Sequence, residues 1–244
     1  MPAPAPLAFL TDRPFAHRGL HGRGVPENSL AAVRAAIAGG YGVECDVRLS
    51  GDGIVHVFHD RHLGRLTGAR GRLAALATAL LEALHLTGSE ERVPILAQLL
   101  ALTGLETPLL IELKSDEGAR GSARLCAAVA QDLRAHPGAP AALMSFDPLV
   151  CHWLARHRPD LVRGLVIGRH HRTGIVARRG IALAIARAKP HFIACDVRDL
   201  PRARAIPRRL RRPLLCWTVR SDADRARARL ADQIIFEMPV GAEG

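Results

Sequence analysis

Three acidic side chains fall on two segments that have the character of buried strands. Glu44 and Asp46 lie two positions apart in Gly-Val-Glu-Cys-Asp-Val, and Glu112 and Lys114 lie two apart in Ile-Glu-Leu-Lys. Residues two apart on a strand share a face. Three carboxylates brought together need a compensating cation, and an oxygen-only ligand set suits Mg²⁺ or Ca²⁺ better than Zn²⁺. Ordinary ion pairs with Arg or Lys explain the acids equally well on this pattern alone.

Two of the twelve histidines stand out by their position. His17 ends a short apolar run, just before the Arg18-Gly19 bend, and His59 lies at the tip of an extended segment that begins at Val55. An imidazole can act as a base or an acid near neutral pH, and each positioned proton transfer contributes roughly 10²–10⁴-fold to a rate. Most histidines are surface or core structure, and we assign no role to His21, His56, His62, His170 and His171.

An alternation of short apolar runs and amphipathic helical stretches indicates the scaffold that would bring these side chains together. Repeated βα units form parallel sheets, and eight strands in a chain of 244 residues favour an α/β fold, the (β/α)8 TIM barrel, over an open sheet. The carboxyl ends of barrel strands open on one rim, where the acids and histidines would converge. The predicted strands are Phe15–His17, Val43–Arg48, Leu109–Lys114, Ala141–Ser145, Val162–Ile167, Phe192–Asp196, Pro213–Val219 and Gln233–Phe236.

The stretch between His59 and Leu109 is too long for a simple connection. It contains helical patterns near Leu73–Leu84 and Ile95–Leu102, so we predict a small helical insertion at about residues 60–107, after the second strand region and on the active face. Residues 1–244 then form a single barrel domain. The predicted helices are Ser29–Ala38, Ala119–His136, Pro148–His157, Ile175–Ala188, Leu200–Leu210 and Asp222–Ala231.

Composition and charge narrow the class of protein. With 48% hydrophobic and 23% charged residues the chain should fold, and no apolar run approaches the roughly 18–20 residues of a spanning helix. The N-terminal segment lacks the layout of a secretory signal, and five scattered cysteines without a C-x-x-C pair favour reduced thiols in the cytoplasm. The net charge of +11 comes from arginines interleaved with apolar residues, which favours solvated helix faces over a specific nucleic-acid site.

Several motifs together resemble one enzyme family, the glycerophosphodiester phosphodiesterases. The resemblance runs in the same order along nearly the whole chain, from about Phe15 to Phe236. The N-terminal segments that carry it are Phe-Ala-His-Arg-Gly at 15–19, Pro-Glu-Asn-Ser at 26–29, Gly-Val-Glu-Cys-Asp-Val at 42–47, Ser-Gly-Asp-Gly at 50–53 and His-Asp at 59–60. The later ones are LGRLTG at 63–68, Ile-Glu-Leu-Lys at 111–114 and Cys-Trp-Thr-Val at 216–219.

The resemblance implies a TIM-barrel enzyme that hydrolyses glycerophosphodiesters, small-molecule substrates, to an alcohol and glycerol 3-phosphate. It implies one divalent cation, Mg²⁺ or Ca²⁺, at the positions Glu44, Asp46 and Glu112. By the same match His17 and His59 are the acid/base pair, and the phosphate contacts are Arg18 and Lys114. Asn28, which also suits a helix N-cap, is expected to orient a site group.

Other features leave alternatives open. Trp217 is either barrel filling or an apolar wall for the glycerol moiety. Arg220 follows Trp-Thr-Val where the family usually has Asn, and the segment 236–239 resembles the family's ending only loosely. A phosphodiesterase of the same superfamily for lysophospholipids or other head groups, and a non-catalytic basic barrel that binds anions, are the alternative functions.

Overall fold

The chain folds into a closed barrel of eight parallel strands in a computed structural model that describes residues 7–115, 118–168 and 174–238. The ring runs β1-β9-β8-β7-β6-β5-β4-β2 and closes where β2 pairs with β1, while β3 pairs antiparallel to β2 outside it. The strands are β1 (Phe15–Ala16), β2 (Gly42–Leu49), β3 (Val55–Val57), β4 (Leu109–Leu113), β5 (Ala141–Ser145), β6 (Val162–Ile167), β7 (Phe192–Asp196), β8 (Leu214–Val219) and β9 (Gln233–Phe236). The predicted (β/α)8 fold class is confirmed.

Apolar side chains from alternate strand positions fill the barrel interior towards the amino ends of the strands. Two interior glycines give the large rings their space. A Cβ on Gly164 would come within 2.2 Å of the Phe192 ring, and one on Gly42 within 2.8 Å of the Phe15 ring. Buried polar residues of matching parity, such as Asp46, lie nearer the carboxyl ends of the strands. The interior core includes Leu10, Phe15, Leu110, Ala142, Met144, Val162, Val166, Phe192, Ala194, Leu215 and Ile235.

Helices surround the barrel and cover the outward-facing side chains of its strands. Side-chain caps begin three of them, since Ser29 Oγ accepts from the Ala32 N–H, Asp147 from the Leu149 N–H and Ser221 Oγ from the Asp224 N–H. Five unpaired cysteines are buried in the layer between strands and helices. None of the helices described is long and apolar enough to cross a membrane. The principal ring helices are α1 (Leu30–Ala38), α5 (Gly118–Ala135), α6 (Pro148–His157), α7 (Gly174–Ala188) and α10 (Asp222–Ala228).

The helix predicted over Leu200–Leu210 is interrupted in the structure. It forms as α8 (Leu200–Ala203) and α9 (Ala205–Leu210). Proline has no backbone N–H, so Pro207 cannot donate the hydrogen bond that the Ala203 carbonyl would accept in a continuous helix. The interruption falls at that carbonyl.

The connection after β3 contains a small unit with its own core. It comprises α2 (Gly64–Thr67), α3 (Thr78–Glu82) and a 3₁₀ turn, where the sequence had suggested one helical stretch. The following helix, α4 (Leu96–Thr103), packs against α1 and α5 and so belongs to the outer ring of the barrel. We therefore propose that the inserted unit comprises residues 58–95 and ends before α4, whereas the sequence predicts an insertion at about residues 60–107. Its core residues are Phe58, Leu63, Leu73, Leu81, Leu86 and Val93.

Candidate active site

Three buried carboxylates meet at the carboxyl ends of β2 and β4. Asp46 pairs in register with Glu112, and Glu44 lies two residues before Asp46 on the same strand face. One oxygen from each of the three lies within 4.8 Å of the other two. Burial, together with repulsion from Asp46 and Glu112, raises the pKa of Glu44 well above its ordinary value.

Two basic side chains enter this acidic cluster. Lys114 Nζ lies 2.9 Å from Asp46 Oδ1 and also donates to Glu112, and Arg18 Nε lies 3.1 Å from Asp46 Oδ2. Burial alone would raise the pKa of Asp46, but the charges of Lys114 and Arg18 outweigh it and hold this pKa well below its usual range. Asp46 is therefore ionised, and the positively charged side chains of Lys114 and Arg18 lie beside it.

Left-handed backbone at two positions brings the residues after β1 against β2. Arg18 has φ of +56° and Asn28 has φ of +58°, and the Asn28 N–H donates to the Arg18 carbonyl at 2.9 Å. The Arg18 N–H then donates to Glu44 Oε2 at 2.9 Å. Asn28 Nδ2 donates to Asp46 Oδ2 at 3.0 Å, and Asn28 Oδ1 accepts from the Asp46 N–H at 3.2 Å. These contacts hold the two β2 acids from the side, which is consistent with an orienting role for Asn28.

His17 extends from the end of β1 beside the acids. Its Nδ1 lies 2.5 Å from Glu237 Oε1, and its Nε2 lies 3.9 Å from Glu44 Oε2. Hydrogen bonds from His17 and from Arg220, at 2.5 and 2.8 Å, lower the pKa of Glu237 against the opposing effect of burial. An ionised carboxylate only accepts, so His17 Nδ1 donates to Glu237 and Nε2 is the nitrogen on the side of Glu44.

His59 has the same kind of partner on the other side of the site. Its Nδ1 lies 2.6 Å from Asp60 Oδ1, and burial lowers the pKa of His59. Arg65 of α2 donates to Asp60 at 2.6 Å and to both oxygens of Glu27, at 2.8 and 2.9 Å. Glu27 in turn accepts from Arg18 at 2.7 Å. A continuous chain of ion pairs thus connects His59 to the phosphate-contact candidate Arg18.

An aromatic pair borders the site opposite these charges. Phe146 follows β5 and Trp217 lies on β8, with ring centroids 5.4 Å apart in an edge-on arrangement. Gly168 makes room for both rings, because a Cβ there would lie 3.1 Å from Phe146 and 3.5 Å from Trp217. The pair packs on the interior core, so Trp217 fills the barrel and also forms a wall at its mouth.

The three acids fit a hard divalent cation. Glu44 Oε1 is buried without a hydrogen-bond partner among the residues described, although a buried carboxylate oxygen normally has one. Two nearby positive charges, on Arg18 and Lys114, face three carboxylates, so the cluster retains negative charge when all three are ionised. A buried all-oxygen donor set of this kind suits Mg²⁺ or Ca²⁺.

Comparison with known proteins places the chain in a family. A model of the glycerophosphoryl diester phosphodiesterase family matches residues 17–239. The chain belongs to this family. A glycerophosphodiester phosphodiesterase of Bacillus altitudinis is 45% identical over 58 residues, and human glycerophosphodiester phosphodiesterase 1 is 46% identical over 63 residues. These segments cover 23% and 25% of this chain and only 23% and 19% of those relatives.

Solved structures share the fold of this family member over nearly its full length. A phosphodiesterase of Oleispira antarctica, in complex with the product sn-glycerol-3-phosphate, has a TM-score of 0.79 at 24% identity, with 93% of each chain covered. A glycerophosphodiester phosphodiesterase of Parabacteroides distasonis has a TM-score of 0.75 at 20% identity, with 92% of each covered. At these identities the likeness establishes the barrel fold.

The structure also brings to the site residues to which the sequence assigned no role. Glu237 follows the last residue of β9, and strand parity from Ile235 would have pointed it inward beside His17. Arg220, noted only as a departure from the family pattern, binds Glu237. Arg65 and Glu27 meet through space across 38 residues of chain, and no local pattern signals such a contact.

Proposed function

We propose that the protein hydrolyses glycerophosphodiesters to an alcohol and glycerol 3-phosphate in a reaction that needs a divalent cation. The observation that carries this proposal is the arrangement of two imidazoles, each paired through Nδ1 with a carboxylate, around one buried cluster of three acids. Membership of the phosphodiesterase family supports the reaction class.

The cation would be held by Glu44, Asp46 and Glu112. It would supply positive charge and Lewis acidity to the phosphoryl group. Arg18 and Lys114 lie beside the same acids, where they would bind nonbridging phosphate oxygens and stabilise the charge that builds up on them in the transition state. Asn28 keeps Asp46 in place through two hydrogen bonds.

The two histidines would move the protons. In each, the carboxylate holds the ring by Nδ1 and leaves Nε2 free to face the substrate. One imidazole would take the proton of the attacking hydroxyl, from water or from the adjacent glycerol hydroxyl. The other would give a proton to the leaving alcohol. The Phe146–Trp217 wall would exclude water and pack against the carbon skeleton of the glycerol.

Release of glycerol 3-phosphate from glycerophosphocholine tests this function. We expect release with Mg²⁺ or Ca²⁺, loss with EDTA, and loss in His17→Ala and Glu44→Ala. Arg70→Ala is the control, because Arg70 is an exposed residue of the inserted unit. Undiminished hydrolysis in either site variant, or in EDTA, would contradict the assignment.

A panel of substrates with different head groups tests the substrate class. We expect glycerophosphocholine and glycerophosphoethanolamine to be cleaved faster than lysophosphatidylcholine, because the proposed wall receives a glycerol skeleton rather than an acyl chain. Faster cleavage of the lysophospholipid would replace the proposed substrate while leaving the phosphodiesterase chemistry intact.

A further inference from the structure

A second group of metal-ligating side chains lies next to the three acids. One ligand atom each of His17, His21 and Glu237 lies within 4.8 Å of the other two. The group is built on the chain that leaves β1 and the chain that leaves β9. It adjoins the acidic cluster, since His17 Nε2 is 3.9 Å from Glu44 Oε2.

His21 has no role in the proposed hydrolysis, and one of its ring nitrogens lies close to ligand atoms of His17 and Glu237. Its Nε2 is buried and has no hydrogen-bond partner among the residues described. Its backbone N–H donates to the Gly19 carbonyl at 3.0 Å, which fixes the turn that carries it. Burial lowers the pKa of His21, which favours the neutral form of its imidazole. A buried nitrogen without a partner costs free energy that a bound ligand would recover.

The donor atoms of the two clusters differ in kind. Glu44, Asp46 and Glu112 offer oxygen alone, whereas His17, His21 and Glu237 offer two imidazole nitrogens and one carboxylate oxygen. Nitrogen donors favour borderline transition metals, and two histidines with one carboxylate form a usual three-ligand zinc set that leaves a coordination position open. We propose that His17, His21 and Glu237 form a second cation site, selective for a borderline metal such as Zn²⁺.

Existing contacts must yield when this site fills. His17 Nδ1 now donates to Glu237, and a ligand nitrogen must be unprotonated, so Nδ1 would have to give up its hydrogen, to Nε2 of the same ring or to solvent, before it could bind a metal. Arg220 is also paired with Glu237, but its side chain is 57% exposed and has room to move into solvent. A metal on Nδ1 would fix the His17 ring and prevent its normal proton exchange. Zn²⁺ should therefore inhibit the proposed hydrolysis. This inhibition rests on the proposed function, whereas the binding of zinc does not.

Metal binding to the full chain tests the site directly. Protein in excess Mg²⁺ and Ca²⁺ is dialysed against micromolar Zn²⁺, and bound zinc is counted by elemental analysis. We expect one zinc per chain, with affinity lowered more than about tenfold in both His21→Ala and His21→Gln. His62→Ala is the matched control because His62 is an exposed histidine, and it should bind zinc like the parent. Co²⁺ used as a probe should show a visible absorption band that disappears in the His21 variants.

Hydrolysis of glycerophosphocholine supplies the second measurement. Zn²⁺ should inhibit the parent and His62→Ala, while His21→Ala should keep the parent's zinc-free rate and require more than about tenfold more Zn²⁺ for the same inhibition. Absence of the extra zinc, or equal zinc binding in folded His21→Ala and His21→Gln, would overturn the proposal. A protein that binds zinc through His21 but cleaves no glycerophosphodiester would refute the proposed function and leave the metal site standing.

Discussion

The two sides of the barrel mouth are made of different chemistry. The adjacent strands β9, β1, β2 and β4 present ionisable side chains at or just beyond their carboxyl ends, and we call this side the charged arc. It comprises Glu237, His17, Glu44, Asp46, Glu112 and Lys114. On the other side of the ring, the last interior-facing residues of β5, β6 and β8 are apolar, and we call this side the apolar arc. It comprises Met144, Phe146, Val166 and Trp217. Strand β7, between β6 and β8, differs because it ends on Asp196, which is paired with Arg198.

The difference shows how one fold can hold repelling charges and remain stable. Asp46 is held by partners from other segments, namely Asn28, Arg18 and Lys114, whereas Glu112 is paired with Lys114 two residues along the chain. These contacts set positions at a cost in desolvation. The apolar arc packs without such partners and contributes burial of apolar area. We therefore expect substitutions in the charged arc to change the rate, and substitutions in the apolar arc to change stability or substrate affinity.

Removing the imidazoles should produce the largest effect. His17→Ala and His59→Ala should each lower kcat by about 10²–10⁴-fold on glycerophosphocholine, because each removes a positioned proton transfer. With a p-nitrophenyl glycerophosphodiester, whose leaving group needs no proton, the variant that lacks the general acid should recover most of its rate. The other variant should not recover. Equal recovery of both, measured by steady-state kinetics, would show that the two histidines do not divide the acid and base roles.

Neutralising one acid should come next, and a pair of variants compares the arcs directly. Glu112→Gln should lower kcat/KM by about 10²–10³-fold without lowering the melting temperature, since it removes a buried charge. Met144→Ala, in the apolar arc and 2% exposed, should cost about 2–5 kcal/mol of unfolding free energy.

Titration with a metal compares the same two variants, Glu112→Gln in the charged arc and Met144→Ala in the apolar arc. Mg²⁺ or Ca²⁺ should raise the melting temperature of the parent and of Met144→Ala, but not that of Glu112→Gln, because a ligand stabilises only the state that binds it. A metal-dependent shift of parental size in Glu112→Gln would remove Glu112 from the ligand set.

Strand parity made much of this architecture predictable from the sequence. All eight barrel strands follow from apolar runs, and Glu44, Asp46 and Glu112 fall on one face because each is an even number of residues from an interior position. His17 follows by the same rule. Strand parity predicts the direction of each side chain, and the prediction holds where a strand is long enough to show its two-residue period.

Residues held by distant partners lay beyond that rule. Arg65 belongs to a four-residue helix without a strong pattern, and its contacts with Asp60 and Glu27 depend on how the inserted unit settles on the barrel. Pro207 indicates the break near Ala203, but apolar residues keep helical spacing across the break, and that spacing predicts one continuous helix. Long-range ion pairs are determined by tertiary packing, and one sequence does not display them.

The two arginines that hold the histidine-bound carboxylates should have intermediate effects. Arg65→Ala frees Asp60 beside His59, and Arg220→Ala frees Glu237 beside His17. Each should lower kcat by about tenfold with little change in KM, because the imidazole is less well held while substrate contacts remain. Arg70→Ala, an exposed arginine of the inserted unit, should leave both constants unchanged. A rise in KM alone would mean that these arginines bind substrate instead of positioning the histidines.

The smallest effect should come from the apolar arc and should appear in KM. Trp217→Leu keeps an apolar side chain but loses the ring that meets Phe146 edge-on at 5.4 Å. Burial of one CH₂ group against an apolar surface contributes about 0.8 kcal/mol, so loss of one such contact with the glycerol skeleton should raise KM roughly 4-fold while kcat changes little. Trp153→Leu is the matched control, because Trp153 lies on outer helix α6 and stacks on His157. If Trp217→Leu lowered kcat as strongly as Glu112→Gln, the wall would take part in the chemistry, and the division between the two arcs would fail.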